Sequence, residues 1–335
     1  MSFKNIIGQE HAISFLKQCL GRGRLNPSLL FVGPSGVGKR LVARELAKAL
    51  NCSALNLASA PRPEGEIEPC DECSNCRQIE QGIHSDVLEM NLARQAEWLD
   101  EKVERQTALK IEIVRMIEKQ AGLKAPEGIS RVVVFDPAQD LTEEAANALL
   151  KLLEEPPPRF HVVLLVEDET ALLATIRSRC TLVRFGRIPL PQLAGYLEKD
   201  MSLSGEDAQA LAVRSGGSIG KAKWEKEWIE WEVPALEEMD QPEAFKWLEQ
   251  FDTRQGGRQA AQVLMGMLIE RECIELKGGE PSAQERLRAL LTASAALKQN
   301  VSPRLALEAL YLRFRKIVRS PGSLRSAPLI FDEGD

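Results

Sequence analysis

The sequence predicts an α/β domain with a parallel sheet covered by helices on both faces, followed by a part that is entirely helical. Two observations predict the first domain: short runs that are apolar throughout alternate with helical patterns, and a glycine-rich loop follows one of these runs. Strands that are apolar on both sides are typical of buried parallel sheets. The second part is predicted because helical patterns follow one another from about Pro189 onward.

The elements can be placed in order along the chain. In the first half we expect strands and helices, in chain order, at Ser28–Val32 (strand), Leu41–Leu50 (helix), Arg131–Asp136 (strand), Thr142–Glu155 (helix) and His161–Val166 (strand). Helices at Leu190–Glu198 and Gly205–Val213 then form a small pair, and a C-terminal helix begins at Ser302-Pro303. Residues 321–335 are expected to be disordered.

The composition is typical of a globular protein. The 335 residues are 44% hydrophobic and 27% charged, with a net charge of −6. Net acidity argues against a protein that binds nucleic acid alone across a broad surface, because phosphate contacts need an excess of Lys and Arg. No segment approaches the roughly 18 uninterrupted apolar residues of a membrane span. We therefore expect a cytoplasmic protein with no membrane partner.

Four of the seven cysteines predict a metal site. Cys70, Cys73 and Cys76 follow the pattern C-x2-C-x2-C, and Cys52 precedes them. In a reducing compartment this spacing indicates metal binding rather than disulfides, and four thiolates suit tetrahedral Zn²⁺. An iron–sulfur cluster is the alternative, because a bacterial cluster motif begins in the same way, although its closing Cys-Pro is missing here. His84 is a further candidate ligand, and we expect a structural role for the site.

The segment GPSGVGKR, residues 33–40, matches a phosphate-binding loop up to its last residue. Its glycines Gly33, Gly36 and Gly38 and the lysine Lys39 supply the backbone amides and the ammonium that hold phosphates in such loops. The strand before the loop and the helix after it are the context that such a site requires. The sequence therefore predicts that this segment descends from a phosphate-binding loop.

Two residues that hydrolysis needs are missing from this site. Arg40 occupies the position of the Ser or Thr that binds Mg²⁺. Asp136 follows a strand, as a Mg²⁺-binding acid would, but the next residue is Pro137 rather than a glutamate that could orient water. We expect no Mg²⁺-dependent hydrolysis, and whether ATP or ADP is still held is left open.

Five segments carry a resemblance to a known family. They are Phe3–Gln9, the P-loop, the four cysteines, Asn147–Pro157 with its Leu-Glu-Glu-Pro-Pro, and Thr175–Cys180 with its Ser-Arg-Cys. Together they resemble the clamp-loader AAA+ family over essentially the whole chain. Within that family the chain is most similar to a non-hydrolysing subunit of the bacterial DNA polymerase III clamp loader.

The resemblance implies a domain organisation and a set of partners. It implies an AAA+ domain at 1–187 with a zinc module at about 52–80, a helical lid at 188–223 and a helical collar for oligomerisation at 224–320. It also implies a five-subunit ring with tau/gamma motor subunits and a delta subunit, which loads the sliding clamp onto primer-template DNA. The chain would then act as a stator within the DNA polymerase III holoenzyme rather than as an ATPase by itself.

The resemblance also implies a catalytic contribution made outside the chain's own site. Arg179 corresponds to the arginine finger that acts in trans on ATP bound by a neighbouring motor subunit, and Arg177 is the nearest alternative. A guanidinium suits this role because it stays charged and can stabilise developing γ-phosphate charge.

Two further positions depart from the active members of the family. The sensor threonine of motor subunits falls at Val166 or Glu167, and the second-sensor arginine falls at Gly220, with Lys221 displaced by one residue. We therefore expect a stator. An active AAA+ motor subunit and a stand-alone zinc-bearing DNA-binding protein are the alternatives.

Overall fold

A computed structural model describes residues 2–55, 63, 66–103, 106–123, 128–229, 239–253, 257–280, 282–298 and 301–319. The predicted disorder at 321–335 lies outside these residues. The chain divides into two compact units after Lys223. Within the described ranges, no helix is long and apolar enough to cross a membrane.

The first unit is built on a five-stranded parallel sheet. Its strands are β1 (Ser28–Val32), β2 (Val87–Met90), β3 (Arg131–Phe135), β4 (Phe160–Val166) and β5 (Thr181–Arg184), in the order β2-β3-β4-β1-β5. The register places Leu30 beside Leu164 on one side and beside Leu182 on the other. Because the strands are parallel, the loops that follow β1 and β3 lie at the same edge of the sheet.

Helices cover both faces of the sheet. The helices of this part are α1 (Glu10–Gly21), α2 (Lys39–Asn51), α3 (Ser74–Glu80), α4 (Leu92–Leu99), α5 (Ile111–Ala121), α6 (Glu143–Glu154) and the short α7 (Ala174–Arg177). Alternate residues of β1 point to opposite faces, so that Phe31 packs in the core with α1 and α2, and Leu30 packs in the core with α5 and α6. This two-sided burial explains why the strands are apolar throughout.

Three more helices complete the first unit and begin the second. They are α8 (Leu190–Met201), α9 (Gly205–Arg214) and α10 (Ile219–Ile229). The first two pack together around Leu193, Leu197 and Leu211, and Ser204 caps the N-terminus of α9 by accepting a hydrogen bond from the Asp207 amide at 3.2 Å.

The second unit is helical in its described part. Its helices are α11 (Gln241–Leu248), α12 (Gln250–Thr253), α13 (Gly257–Lys277), α14 (Ala283–Lys298) and α15 (Pro303–Arg319). They share one core, in which the Tyr311 hydroxyl donates to the Met239 carbonyl at 3.0 Å. Fully buried Glu272 is paired with Arg286, whose Nε lies 2.7 Å from the Glu272 carboxylate.

The predicted elements are present with small boundary differences. The helix expected at Leu41–Leu50 begins two residues earlier, at Lys39, because the glycine loop leads directly into its first turn. The helix expected at Thr142–Glu155 runs from Glu143 to Glu154, with Thr142 as its N-cap. The C-terminal helix begins at Pro303 as predicted.

Candidate functional site

The glycine loop lies at the carboxyl end of β1, between β4 and β5. The Gly33 amide donates to the Val166 carbonyl at 3.2 Å, which anchors the start of the loop on β4. Gly38 has a φ of 106° and caps the N-terminus of α2. A loop of this shape points backbone amides and the positive end of a helix at one concave place, where an anion can bind.

Lys39 is folded into this loop. Its side chain is 9% exposed, and Nζ donates to the carbonyls of Gly33 at 2.5 Å and Pro34 at 2.8 Å. Burial lowers the pKa of the Lys39 ammonium, while the charges of Glu167 and Asp136 raise it. The predicted phosphate-binding lysine is therefore placed within the loop, and Glu167 is one of the acids that act on it.

Arg40 occupies the place where the acids of the site converge. Its Nε donates to Glu89 Oε2 at 2.7 Å and lies 3.8 Å from Asp136 Oδ2. Arg44, one turn further along α2, donates to the same Glu89 carboxylate at 2.9 Å. Burial raises the pKa of Asp136, and the cations Arg40 and Lys39 lower it. The two carboxylates that could ligate Mg²⁺ are thus neutralised by guanidinium groups of α2.

Sequence reasoning missed Glu89 and Arg44. Glu89 belongs to β2 and lies 49 residues from Arg40 along the chain. The sequence does contain one signal for Glu89: an acid within a short, otherwise apolar run. A charged side chain that is partly buried in a strand needs a partner of opposite charge.

The start of α10 is packed directly on the glycine loop. Ser218 Oγ donates to the Ser35 carbonyl at 2.9 Å, and the Gly220 amide donates to the Gly36 carbonyl at 3.0 Å. A Cβ on Gly36 would lie 2.4 Å from Ser218 Oγ and 3.0 Å from the Gly220 Cα. Gly220, the position expected for a second-sensor arginine, is thus in backbone contact with the loop.

Lys221, the possible substitute for that arginine, has its side chain elsewhere. Its Nζ donates to the Arg214 carbonyl at 2.9 Å, at the end of α9. Val166 and Glu167 are the two positions considered for the sensor threonine. Val166 is buried at the end of β4, and Glu167 directly follows this strand.

Arg179 lies at the surface just after α7. Its Nη2 is 2.5 Å from Glu154 Oε1, its Nη1 donates to the Thr175 carbonyl at 2.9 Å, and its side chain is 35% exposed. The Leu-Glu-Glu-Pro-Pro and Ser-Arg-Cys segments therefore meet through one ion pair. In contrast, the Nε of Arg177 is buried and makes no hydrogen bond within the described residues.

The four predicted cysteines form one cluster. The Sγ atoms of Cys52, Cys70, Cys73 and Cys76 all lie within 4.8 Å of one another. Four sulfurs placed tetrahedrally around one Zn²⁺ at about 2.3 Å lie about 3.8 Å apart, so a cluster with every pair within 4.8 Å is compact enough to surround a single ion. The donor set and its dimensions therefore fit Zn²⁺.

The cluster is held by the ends of two helices and by backbone amides. Cys52 is the C-cap of α2, and Cys73 is the N-cap of α3. The Cys70 amide donates to Cys52 Sγ at 3.4 Å, and the Cys73 amide donates to Cys70 Sγ at 3.3 Å. Such amides favour thiolates, which are the form that binds metal.

His84 is not a member of this group. It is buried, and its Nδ1 accepts a hydrogen bond from the Asp86 amide at 3.1 Å. Burial lowers the pKa of His84, which the charge of Asp86 opposes. Asp86 in turn pairs with Arg131, at 2.7 Å.

A family model described as DNA polymerase III, delta subunit, matches residues 8–189. Among curated proteins, the chain is 29% identical to DNA polymerase III subunit tau of Escherichia coli over 298 residues, which is 88% of this chain and 40% of that protein. It is 33% identical to the tau subunit of Bacillus subtilis over 215 residues, or 64% of this chain and 33% of that protein. The chain thus spans less than half the length of these relatives.

A solved structure shares the fold. It is a DNA polymerase III gamma subunit-related protein of Thermotoga maritima, with a TM-score of 0.50 and 18% identity, covering 91% of this chain and 99% of that one. At this identity the likeness shows the fold alone.

Proposed function

This chain belongs to the DNA polymerase III delta-subunit family of clamp-loader AAA+ proteins, and we propose that it is a stator subunit of the delta-prime type. In this role it takes part in loading a sliding clamp onto primed DNA without hydrolysing ATP itself. Its partners are tau/gamma motor subunits and a delta subunit in a heteropentamer, together with the clamp and primer-template DNA. The complex acts in the cytoplasm.

The observation that carries the proposal is the position of Arg40. A hydrolysing site needs Mg²⁺ held by a hydroxyl and by free carboxylates. In this chain the hydroxyl is replaced by a guanidinium 3.8 Å from Asp136, and Glu89 is shared between Arg40 and Arg44. A divalent cation would have to displace a charged side chain that is already hydrogen-bonded, so a nucleotide at this loop is held without Mg²⁺.

The catalytic contribution proposed for the chain is made by Arg179 on a neighbouring subunit's ATP. Its ion pair with Glu154 and its hydrogen bond to Thr175 hold the guanidinium at the surface while leaving part of it accessible. Pre-positioned charge of this kind acts on the γ-phosphate without reorganisation in the transition state. The helices of the second unit provide the collar in this proposal, and Zn²⁺ bound by the four cysteines is structural.

The test is ATP hydrolysis by a ring reconstituted with tau/gamma and delta subunits, in the presence of clamp and primed DNA. Arginine fingers are worth about 10³–10⁵ in kcat at the site they serve. Arg179→Ala should therefore silence one motor site and lower the stimulated rate. Arg184→Ala is the control, because Arg184 is exposed and paired with Glu169 at 3.4 Å. Equal rates for both variants and wild type would contradict the finger role, and loss with Arg177→Ala alone would transfer it to Arg177.

An active motor subunit is the second candidate function. The retained glycines and Lys39 favour it, as does the name tau carried by the two similar curated proteins. The isolated chain distinguishes the two functions. A silent chain supports the stator, whereas Mg²⁺-dependent turnover that disappears with Lys39→Ala would replace it with the motor.

A further inference from the structure

A buried lysine of α2, the helix that follows the glycine loop, contacts the segment that carries the cysteines. Lys48 of α2 is 0% exposed, and its Nζ bonds three carboxylates. It donates to Glu45 Oε1 at 3.0 Å and to Asp71 Oδ1 at 2.8 Å, and it also donates to Glu80. A buried ammonium is tolerated only when it is paired and hydrogen-bonded in this way.

The three carboxylates resemble a second cation site, since their oxygens lie within 4.8 Å of one another. The ammonium of Lys48 already bonds all three acids, Glu45, Asp71 and Glu80. The ammonium of Lys48 is therefore the cation of this cluster. The role of Lys48 follows from the segments of the chain that carry the three acids.

Two of the three acids belong to the cysteine segment. Asp71 follows Cys70, with a φ of 58° that is unfavourable for a residue with a Cβ. Glu80 ends α3, the helix that carries Cys76. Lys48 therefore contacts the segment within its C-x2-C-x2-C motif, at Asp71, and after the motif, at Glu80.

The conformation held by Lys48 decides where the amides of this segment point. The Cys73 amide, two residues after Asp71, donates to Cys70 Sγ at 3.3 Å. The Cys76 amide donates to Cys73 Sγ at 3.5 Å. A shift of the backbone at Asp71 would turn these donors away from the sulfurs that they stabilise.

We propose that Lys48 is a positioning residue of the four-cysteine site: by holding Asp71 and Glu80 it orients the amide donors of the segment and so sets the affinity of the site for Zn²⁺. It does not ligate the metal. The inference rests on the zinc assignment within the proposed function and is independent of the stator role, so either one can fail while the other stands.

The test measures zinc binding by the purified full chain, first by metal analysis and then by competition with a chromogenic chelator. Residues that orient metal ligands typically cost 10–100-fold in affinity when they are lost. Lys48→Met should weaken Zn²⁺ binding by about tenfold or more. The matched control is Lys17→Met, because Lys17 pairs with Glu68 of the same segment and is also largely shielded from solvent. We expect the control to change the affinity less than about threefold.

A second variant covers the case in which Lys48→Met does not fold. Asp71→Asn removes the charge that Lys48 holds, while asparagine still tolerates a positive φ. The absorption of Co²⁺ bound in place of Zn²⁺ should change in both variants, because the sulfur-to-metal geometry is altered, and should stay as in wild type in Lys17→Met. Wild-type affinity and an unchanged Co²⁺ spectrum in a folded Lys48→Met or Asp71→Asn chain would overturn the proposal, as would a wild-type chain that binds no zinc.

Discussion

The contact between α10 and the glycine loop makes Gly36→Ala the most informative single substitution in the first unit. Gly36 has a φ of 72°, and a Cβ built on it lies 2.4 Å from Ser218 Oγ and 3.0 Å from the Gly220 Cα. Real Cβ atoms do not approach other atoms this closely, so Ser218 must move. Its hydrogen bond to the Ser35 carbonyl, 2.9 Å long, is then lost or weakened.

The expected cost has two parts that can be separated. A Cβ at positive φ costs about 1–2 kcal/mol, and the displaced hydrogen bonds of Ser218 and Gly220 add about 1 kcal/mol each. Gly82 provides the matched control, because its φ is 71° and no described atom lies within 4 Å of a Cβ built there. Gly82→Ala should therefore show only the conformational cost, and the difference between the variants should be about 2 kcal/mol.

Thermal unfolding followed by circular dichroism measures both costs. At about 2–4 °C per kcal/mol for a unit of this size, Gly36→Ala should lower Tm by roughly 6–16 °C and Gly82→Ala by roughly 2–8 °C. Adding Ser218→Ala to Gly36→Ala removes the nearest clashing atom and should cost less than the sum of the two single changes. Equal Tm losses for Gly36→Ala and Gly82→Ala would refute the close packing of Ser218 and Gly220 on the loop.

Three further outcomes are expected. Burial raises the pKa of Glu45 to about 7 from 4.5 against the opposing hydrogen bond of Lys48, so the folded state binds this proton more tightly than the unfolded state. The contribution of Glu45 to the free energy of unfolding should thus fall as pH rises from about 4.5 to 7, and denaturant titrations at both ends of this range should show that Glu45→Gln loses less stability over it than wild type. Removal of metal by a chelator should make the four clustered cysteines react with a thiol reagent, and it should lower Tm. If the cysteines react equally with and without chelator, the metal site is contradicted. Arg40→Ser restores the hydroxyl and frees Asp136, so calorimetry should show nucleotide binding that strengthens with Mg²⁺, whereas Arg44→Ser, the control, should not gain this dependence.

The sequence predicted the central strands of the sheet and missed its edges. β1, β3 and β4 lie inside the sheet and are apolar on both sides, which is the pattern that reveals a buried parallel strand. β2 and β5 are four-residue edge strands that include Glu89 and the exposed Arg184. Their short and mixed pattern cannot be distinguished from a loop without knowledge of the neighbouring strand.

The candidate site shows the same limit. The cysteine cluster could be predicted because C-x2-C spacing is local and brings sulfurs together within one turn. The pairing of Arg40 with Glu89 and the docking of Ser218 on Ser35 join residues 49 and 183 positions apart, respectively. No periodicity in the sequence encodes such contacts, since they depend on which elements become neighbours in the sheet and on where α10 begins.

Helix α2 connects the features that the site depends on. Arg40, Arg44, Lys48 and Cys52 follow one another at intervals of four residues, so they lie along one slowly turning face of the helix. Arg40 and Arg44 bind Glu89 near the loop, Lys48 binds the acids of the cysteine segment, and Cys52 supplies a sulfur at the far end.

Two arginines near the positive end of a helix are unfavourable unless anions offset them. In a working ATPase the phosphates supply such negative charge at the start of the helix, whereas here Glu89 and Asp136 supply it from within the chain. The loop and the start of α2 are therefore stabilised by carboxylates of the chain itself.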